Sequence, residues 1–145
     1  WTPDGKHLSF IAARDDLDDD AVSQVYTLDL RGGEAQAFTQ VLQGVEEHEW
    51  APTGGRLLLA IRDESARDKA AREAREKRES EPLLPVVIDR LQFKEDGVGY
   101  LDRSRQHYYA QEGRLGELKQ LTFGDYDDYE GTWSPDGARI AFTSN

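Results

Sequence analysis

The 145-residue chain has no cysteine and no methionine, and no stretch approaches the ~18 apolar residues of a membrane-crossing helix. Without cysteine there are no disulfides, no thiolate catalysis and no zinc–cysteine sites. That suits a reducing compartment, and a cytoplasmic location is expected. Without methionine the chain does not start at its own initiator. Opening on Trp1 and stopping at Asn145 straight after a hydrophobic run, it reads as a piece of something larger, so the lack of a signal peptide carries no information. Positive charge is also scarce: 18 Lys and Arg stand against 29 Asp and Glu, for a net charge of -11. This balance argues against nucleic acid or an anionic membrane as the main partner, since phosphate binding needs net positive charge. Hydrophobic residues make up 37%, low but workable for the core of one domain, and 10% aromatics is too many for a typical disordered chain.

What is present is a repeat. Trp1-Thr2-Pro3-Asp4-Gly5-Lys6-His7-Leu8-Ser9-Phe10 returns as Trp133-Ser134-Pro135-Asp136-Gly137-Ala138-Arg139-Ile140-Ala141-Phe142. A weaker copy, Trp50-Ala51-Pro52-Thr53-Gly54-Gly55-Arg56-Leu57-Leu58-Leu59, lies between them, and each of the three tryptophans opens one copy. Proline presets φ in a tight turn, aspartate bonds its own backbone, and glycine accepts positive φ. The turn therefore joins a strand ending at Trp to an apolar strand such as Arg139–Thr143.

Further strands follow each copy. Gln24–Leu30 alternates with period two, Arg31-Gly32-Gly33-Glu34 is a hairpin turn, and Ala35–Thr39 returns. Val45–Trp50 opens the next unit, in which His107–Gln111, a Gly113–Gly116 turn and Glu117–Thr122 repeat the pattern. Phe38-Thr39 and Leu121-Thr122 close the two units alike. Each unit thus reads as four antiparallel strands. The expected organisation is a partial unit at 1-40, a full unit at 45-122 interrupted by an insertion at 63-101, and the start of a third at 130-145. In the insertion, Asp63–Ser80 is rich in helix formers with Asp68–Arg72 and Glu73–Lys77 at i,i+4 spacing, so it reads as a charged helix with an alanine face. Val86–Phe93 and Gly99–Leu101 then read as an extra hairpin about Lys94-Glu95-Asp96-Gly97.

Trp-Ser-Pro-Asp-Gly-x-x-Ile-Ala-Phe resembles the WD40-like β-propeller repeat of TolB-type proteins and of prolyl-oligopeptidase-family serine peptidases. The stretch Val87-Ile88-Asp89-Arg90-Leu91-Gln92-Phe93-Lys94-Glu95-Asp96-Gly97-Val98-Gly99-Tyr100-Leu101, with the charged helix before it and Leu118-Lys119-Gln120-Leu121-Thr122-Phe123-Gly124-Asp125-Tyr126-Asp127 after it, is similar to the acylaminoacyl-peptidase and dipeptidyl-peptidase branch. The resemblance implies an all-β fold: a partial β-propeller of four-stranded antiparallel blades with one charged helical insertion. It also implies a partner, the Ser-Asp-His hydrolase domain of the parent chain, with short or N-acylated peptides as substrates. None of the serines sits in Gly-x-Ser-x-Gly, so no catalytic residue of the family maps onto this chain. The implied role is to gate access to a catalytic domain and position peptides. The competing reading is a non-enzymatic TolB-like scaffold that binds other proteins.

Candidate sites lie in the loops. Asp15-Asp16-Leu17-Asp18-Asp19-Asp20 invites a calcium reading, but an EF-hand begun at Asp16 needs Gly sixth and Glu twelfth, where Ala21 and Thr27 stand, so a solvated loop is the default. Asp125, Asp127 and Asp128 in one connection, and Glu46 and Glu47 in its counterpart, are the candidates for substrate or interdomain contact. Loop alternation in a meander puts these five and the Asp15–Asp20 loop at one end of the strands, with Arg14 as the nearby base, so a strongly acidic rim is expected. His7, His48 and His107 have no spacing suited to a metal, and no cofactor is expected. The tryptophans read as packing residues between blades. The helix reads as exposed or as a contact in a homo-oligomer.

Overall fold

The structure, a computed structural model, describes residues 1–14, 22–88, 91, 94–96, 99–101 and 103–145. The Asp15–Asp20 run and its calcium reading lie outside these residues. In chain order the described residues form β1 (His7–Ala12), β2 (Gln24–Asp29), β3 (Gln36–Ala37), β4 (Glu47–Trp50), β5 (Arg56–Arg62), helix α1 (Ala66–Lys77), β6 (Lys94–Glu95), β7 (Gly99–Tyr100), β8 (Gln106–Glu112), β9 (Leu118–Gln120), β10 (Asp128–Trp133) and β11 (Ile140–Ser144). The fold is mostly β. The chain divides into two compact units, one made of Trp1–Asp63 with Arg105–Asn145, the other of Glu64–Ser104.

The first unit contains three antiparallel sheets, none of them closed: β1-β2-β3, β4-β5-β8-β9 and β10-β11. β5 explains their arrangement. Its sequence Arg-Leu-Leu-Leu-Ala-Ile-Arg is apolar at every inner position, so both faces of the strand need cover. Leu57, Leu59 and Ile61 join Val25, Val41 and Val45 in one core, with Ile11, Phe38 and Trp50 packed against it. Leu58 and Ala60 point the other way and join Tyr108, with Trp133 and Ile140 packed against them. The four-stranded sheet therefore lies between the other two. Each fully buried Leu contributes ~1.5–3 kcal/mol of transfer free energy, so β5 is the best-covered strand.

The repeat is visible in hydrogen bonds. Thr2 Oγ1 donates to Asp4 at 2.6 Å, Asp4 accepts the Lys6 N–H at 3.1 Å, and Gly5 N–H bonds Thr2 O at 2.9 Å. In the third copy Ser134 Oγ donates to Asp136 at 2.5 Å, Asp136 accepts the Ala138 N–H at 3.0 Å, and Gly137 N–H bonds Ser134 O at 2.7 Å. Gly5 and Gly137 sit at φ +67° and +65°, the left-handed region the turn requires. The middle copy has Ala51 and Thr53 in the locking positions and keeps only the backbone bond from Ala51 N–H to Arg56 O, 2.9 Å.

The unit endings match as closely. Val25 O accepts from Phe38 and Thr39 at 2.7 and 3.4 Å, and Tyr108 O accepts from Leu121 and Thr122 at 2.8 and 3.4 Å. The Val25 and Tyr108 N–H groups each donate to the threonine hydroxyl at 2.9 Å. Between sheets, the Trp50 indole N–H donates to Ser9 Oγ at 2.9 Å and that of Trp133 to Glu49 O at 3.3 Å. Trp50 also meets Phe38 edge-on. Trp1 differs: it is 69% exposed, so only two of the three tryptophans pack between sheets.

In the second unit α1 is capped by Ser65, whose hydroxyl accepts the Asp68 N–H at 3.0 Å. The expected Asp68–Arg72 and Glu73–Lys77 pairs give way to Arg72 bridging Glu64 at 2.7 Å and Glu76 at 3.0 Å. Arginine reaches two carboxylates at once, which one i,i+4 pair cannot offer. Of the expected hairpin, residues 89, 90, 92, 93, 97 and 98 lie outside the described residues. Lys94–Glu95 pairs with Gly99–Tyr100, while residues 86–88 and 91 belong to no strand. No described helix is long and apolar enough to cross a membrane.

Candidate functional site

The connections 41–46 before β4 and 123–127 before β10 leave the sheets at the same end as the C-terminus of β5 and the N-terminus of β8. Arg62 is the last residue of β5, and Arg105 precedes β8. Both guanidinium groups point into the loop carboxylates. Arg62 Nε bonds Glu46 at 2.9 Å and its Nη1 bonds Asp127 at 3.3 Å. Arg105 bonds Asp125 at 2.9 Å and Asp127 at 3.1 Å. Asp127 also accepts the Gln106 N–H at 2.9 Å. The hydrogen bonds from Arg105 to Asp125 and Asp127 outweigh burial and hold its pKa above the ordinary value. Burial works against the Arg62 cation, but the bond to Glu46 and the charges of Glu46, Asp127 and Tyr129 outweigh it, again raising its pKa.

The strongly acidic rim is therefore corrected for this part of the molecule. Arg14 is not the only nearby base; Arg62 and Arg105 form a mixed-sign network with three of the candidate acids. Loop alternation, which grouped the acids, would also have placed these arginines there, at the end of β5 and the start of β8.

Asp128 sits apart from this network. It is buried, and its carboxylate lies 3.1 Å from His107 Nδ1, while His107 Nε2 is 3.8 Å from Asp63. Burial disfavours the Asp128 carboxylate, but hydrogen bonds from Thr122, Ser144 and His107 win and hold its pKa below the usual range. A serine, an aspartate and a histidine meet here in the wrong order for nucleophilic catalysis, because the hydroxyls serve the carboxylate rather than the imidazole. His107 is itself buried. The group is a pin joining β8 to β10. His48 plays a lesser part of the same kind, its Nε2 lying 2.9 Å from Ser9 Oγ with burial lowering its pKa. Among the described residues no group of three His, Asp or Glu is arranged to hold a metal ion.

Of the five candidate acids, Glu46, Glu47 and Asp125 are exposed, Asp127 faces the two arginines, and Asp128 is closed to solvent. The structure brings Glu46, Asp125 and Asp127 together and sets Asp128 beneath them. No family model matches the chain. The chain is 32% identical, over all of its 145 residues, to the Bacillus subtilis protein named Uncharacterized peptidase YuxL. It spans 21% of that relative's length.

Proposed function

We propose that this chain is a non-catalytic β-propeller segment of a serine peptidase, similar to the acylaminoacyl-peptidase branch of the prolyl-oligopeptidase family, that gates and positions short peptides for a hydrolase domain. The observation that carries the reading is the similarity, over all of this chain and 21% of the relative's length, to a protein named as a peptidase. The sheets support it from a second direction. β1-β2-β3 would be the last three strands of one blade, β4-β5-β8-β9 a whole blade, and β10-β11 the first two strands of the next. A cleft of about 1250 Å³ beside β11, lined by Leu118, Leu121, Trp133, Ile140 and Phe142 among others, is where the outer strands of that next blade would lie.

At the charged end, Asp125, Glu46 and Glu47 would meet the cationic terminus of an incoming peptide, with Arg62 and Arg105 holding two of them in place. Asp127 and Asp128 serve the scaffold. Reaction chemistry would belong to the hydrolase domain, since this chain has no nucleophile in a supporting motif.

The test is hydrolysis of N-acetyl-alanyl and free alanyl p-nitroanilides by the intact protein that carries this chain, with and without a serine-directed phosphonofluoridate. Activity abolished by the inhibitor is expected, together with a raised KM and unchanged kcat for free-amino substrates in Asp125→Asn/Glu47→Gln. An intact protein with neither activity nor labelling of a serine would refute the peptidase reading. An unchanged KM would refute the role of the acids alone.

A further inference from the structure

The three turn copies match position by position, because the same backbone bond closes each of them. Thr2 N–H donates to His7 O at 3.0 Å, Ala51 N–H to Arg56 O at 2.9 Å and Ser134 N–H to Arg139 O at 2.8 Å. His7, Arg56 and Arg139 are therefore equivalent residues. Arg56 reaches into the copy that follows it. Its Cζ stands 5.1 Å from the centre of the Trp133 ring, within the ~6 Å reach of a cation over an aromatic face. Its Nη2 donates to Gly137 O at 2.6 Å. Gly137 is buried, and the guanidinium group is the nearest thing a Cβ there would meet, at 3.4 Å.

The same place one copy earlier is a cavity of about 390 Å³. Trp50 takes the position of Trp133, Gly54 that of Gly137, and His7 that of Arg56. The imidazole is shorter than an arginine side chain and leaves Gly54 exposed where Gly137 is covered. Trp50 and Phe38, their ring planes at 73°, make an aromatic corner of the cavity, and Gly54 and Gly55 give it a wall of bare backbone. Asp4 also lines it, at the position where the second copy has the neutral Thr53. Hydrogen bonds from the Thr2 hydroxyl and the Lys6 N–H hold the Asp4 carboxyl below its ordinary value, so it is charged at neutral pH. The neighbouring Arg114 is not part of the lining, and its Nε is bound to Ala37 O at 2.9 Å.

We propose that this cavity binds the arginine side chain of a peptide, the guanidinium group lying over Trp50 as that of Arg56 lies over Trp133, with Asp4 meeting its charge. A planar guanidinium suits the place because it stacks on a ring and donates at its edge at the same time. Charge favours an arginine within a peptide over the free amino acid. Trp1–Asp63 and Arg105–Asn145 together carry nine Lys and Arg against nineteen Asp and Glu, and the α-carboxylate of free arginine would add to that repulsion. The site rests on the geometry of the repeat and holds whether or not the protein hydrolyses peptides.

Titration of the intact protein with N-acetyl-arginine N-methylamide, a peptide arginine without charged ends, tests it by saturation-transfer difference NMR. A dissociation constant on the order of 1 mM is expected, as for one cation over a partly exposed ring. The citrulline analogue keeps the shape without the charge and should bind at least ~10-fold more weakly. Free arginine should bind at least ~3-fold more weakly. His7→Arg supplies a guanidinium group from within the chain. It should weaken binding of the arginine ligand at least ~10-fold while the melting temperature stays at or above that of the wild type. The difference between these two proteins isolates the cavity from any other peptide site the protein carries. Asp4→Asn, which keeps an acceptor in the turn, should weaken binding by ~3-fold or more. Equal binding of arginine and citrulline ligands, undiminished binding in His7→Arg or in Asp4→Asn, a lower melting temperature in His7→Arg, or free arginine binding as tightly as the peptide form would each overturn the proposal.

Discussion

Asp128 shows how one side chain ties β10 to β8. Its carboxyl is buried, yet it titrates below its ordinary value near 3.8 because Thr122, Ser144 and His107 bond the ionised form. A depressed carboxyl stabilises the fold fully above its unfolded value and loses that contribution as pH falls through the lower folded value. Asp128→Asn should therefore cost about 1.5–3 kcal/mol at pH 7, the range for a hydrogen bond to a charged group. The difference from wild type should shrink between about pH 4 and pH 2, where the wild type loses what the variant never had. Urea unfolding at both ends of that interval measures it, and a gap that stays constant with pH would rule out the ionised carboxylate as the cause. Gly131 makes a second residue-scale case. β10 carries a bulge between Tyr129 and Thr132, and in it Gly131 N–H donates to the Tyr108 hydroxyl at 2.5 Å. A Cβ at Gly131 would run into the Tyr108 ring. Gly131→Ala should destabilise by about 1–3 kcal/mol, the cost of overpacking, and Tyr108→Leu in the same chain should recover part of it.

Among the elements, the turns are the clearest case of sequence carrying structure. In the third copy Ser134, Asp136 and Arg139 form one unit: the serine hydroxyl donates to the aspartate and accepts the Arg139 N–H at 2.9 Å. The hydrogen bonds from Ser134 and the Ala138 N–H hold the Asp136 carboxyl below its ordinary value. Ser134→Ala and Asp136→Ala should each lower the melting temperature, and the double variant should lower it by less than their sum, since either change removes the bond they share. Additive losses would mean the two act separately. The tryptophan-proline-glycine spacing made these turns readable, and β5 was readable because a strand covered on both faces shows as a continuous apolar run. Of the strand expected at Val86–Phe93, residues 86–88 and 91 form none, for a physical reason, and the others lie outside the described residues. β-branched residues make a segment fit for a sheet, but a strand forms only against a partner, and the described residues offer none to 86–88. For the Arg62–Asp127 and Arg105–Asp125 pairs, loop alternation places the arginines at the acidic end, but the pairing itself was not readable, since the partners are 65 and 20 residues away and meet only once the sheets have stacked. In α1 the last turn ends with Arg78 in the left-handed region at φ 56°, a conformation that favours glycine. Arg78→Gly should stabilise the helix by up to ~1 kcal/mol, read as increased ellipticity at 222 nm.

At the scale of the whole molecule, the repeat sets an internal standard against which each strand can be measured. Ile140, Ala141, Phe142, Thr143 and Ser144 of β11 occupy the repeat positions of Leu57, Leu58, Leu59, Ala60 and Ile61 in β5. All five residues of β5 are at most 2% exposed, whereas Phe142 is 42% exposed and Thr143 and Ser144 are open as well. The difference is not in composition alone, since Ile-Ala-Phe is as apolar as many buried strands. It lies in what surrounds the strand. β5 has β4 on one side, β8 on the other and a sheet over each face, while β11 has only β10 and the open cleft. Local opening free energy follows buried contact and hydrogen-bond partners, so amide exchange should rank the strands. In the 145-residue chain, β5 and β8 should exchange slowest, at the rate set by global unfolding. β11 should exchange fastest among the longer strands, by a factor on the order of 100 or more, matching the ~3 kcal/mol lost with one ladder and one covering sheet. If the outer strands of a further blade occupy the cleft in the intact protein, Phe142 and Ser144 should slow there to the level of Leu59 and Ile61 while β5 stays as it was. Equal protection of β5 and β11 in the 145-residue chain would mean the repeat positions do not report burial. Slow exchange in β5 with no change at β11 in the intact protein would mean that no strands dock on its edge.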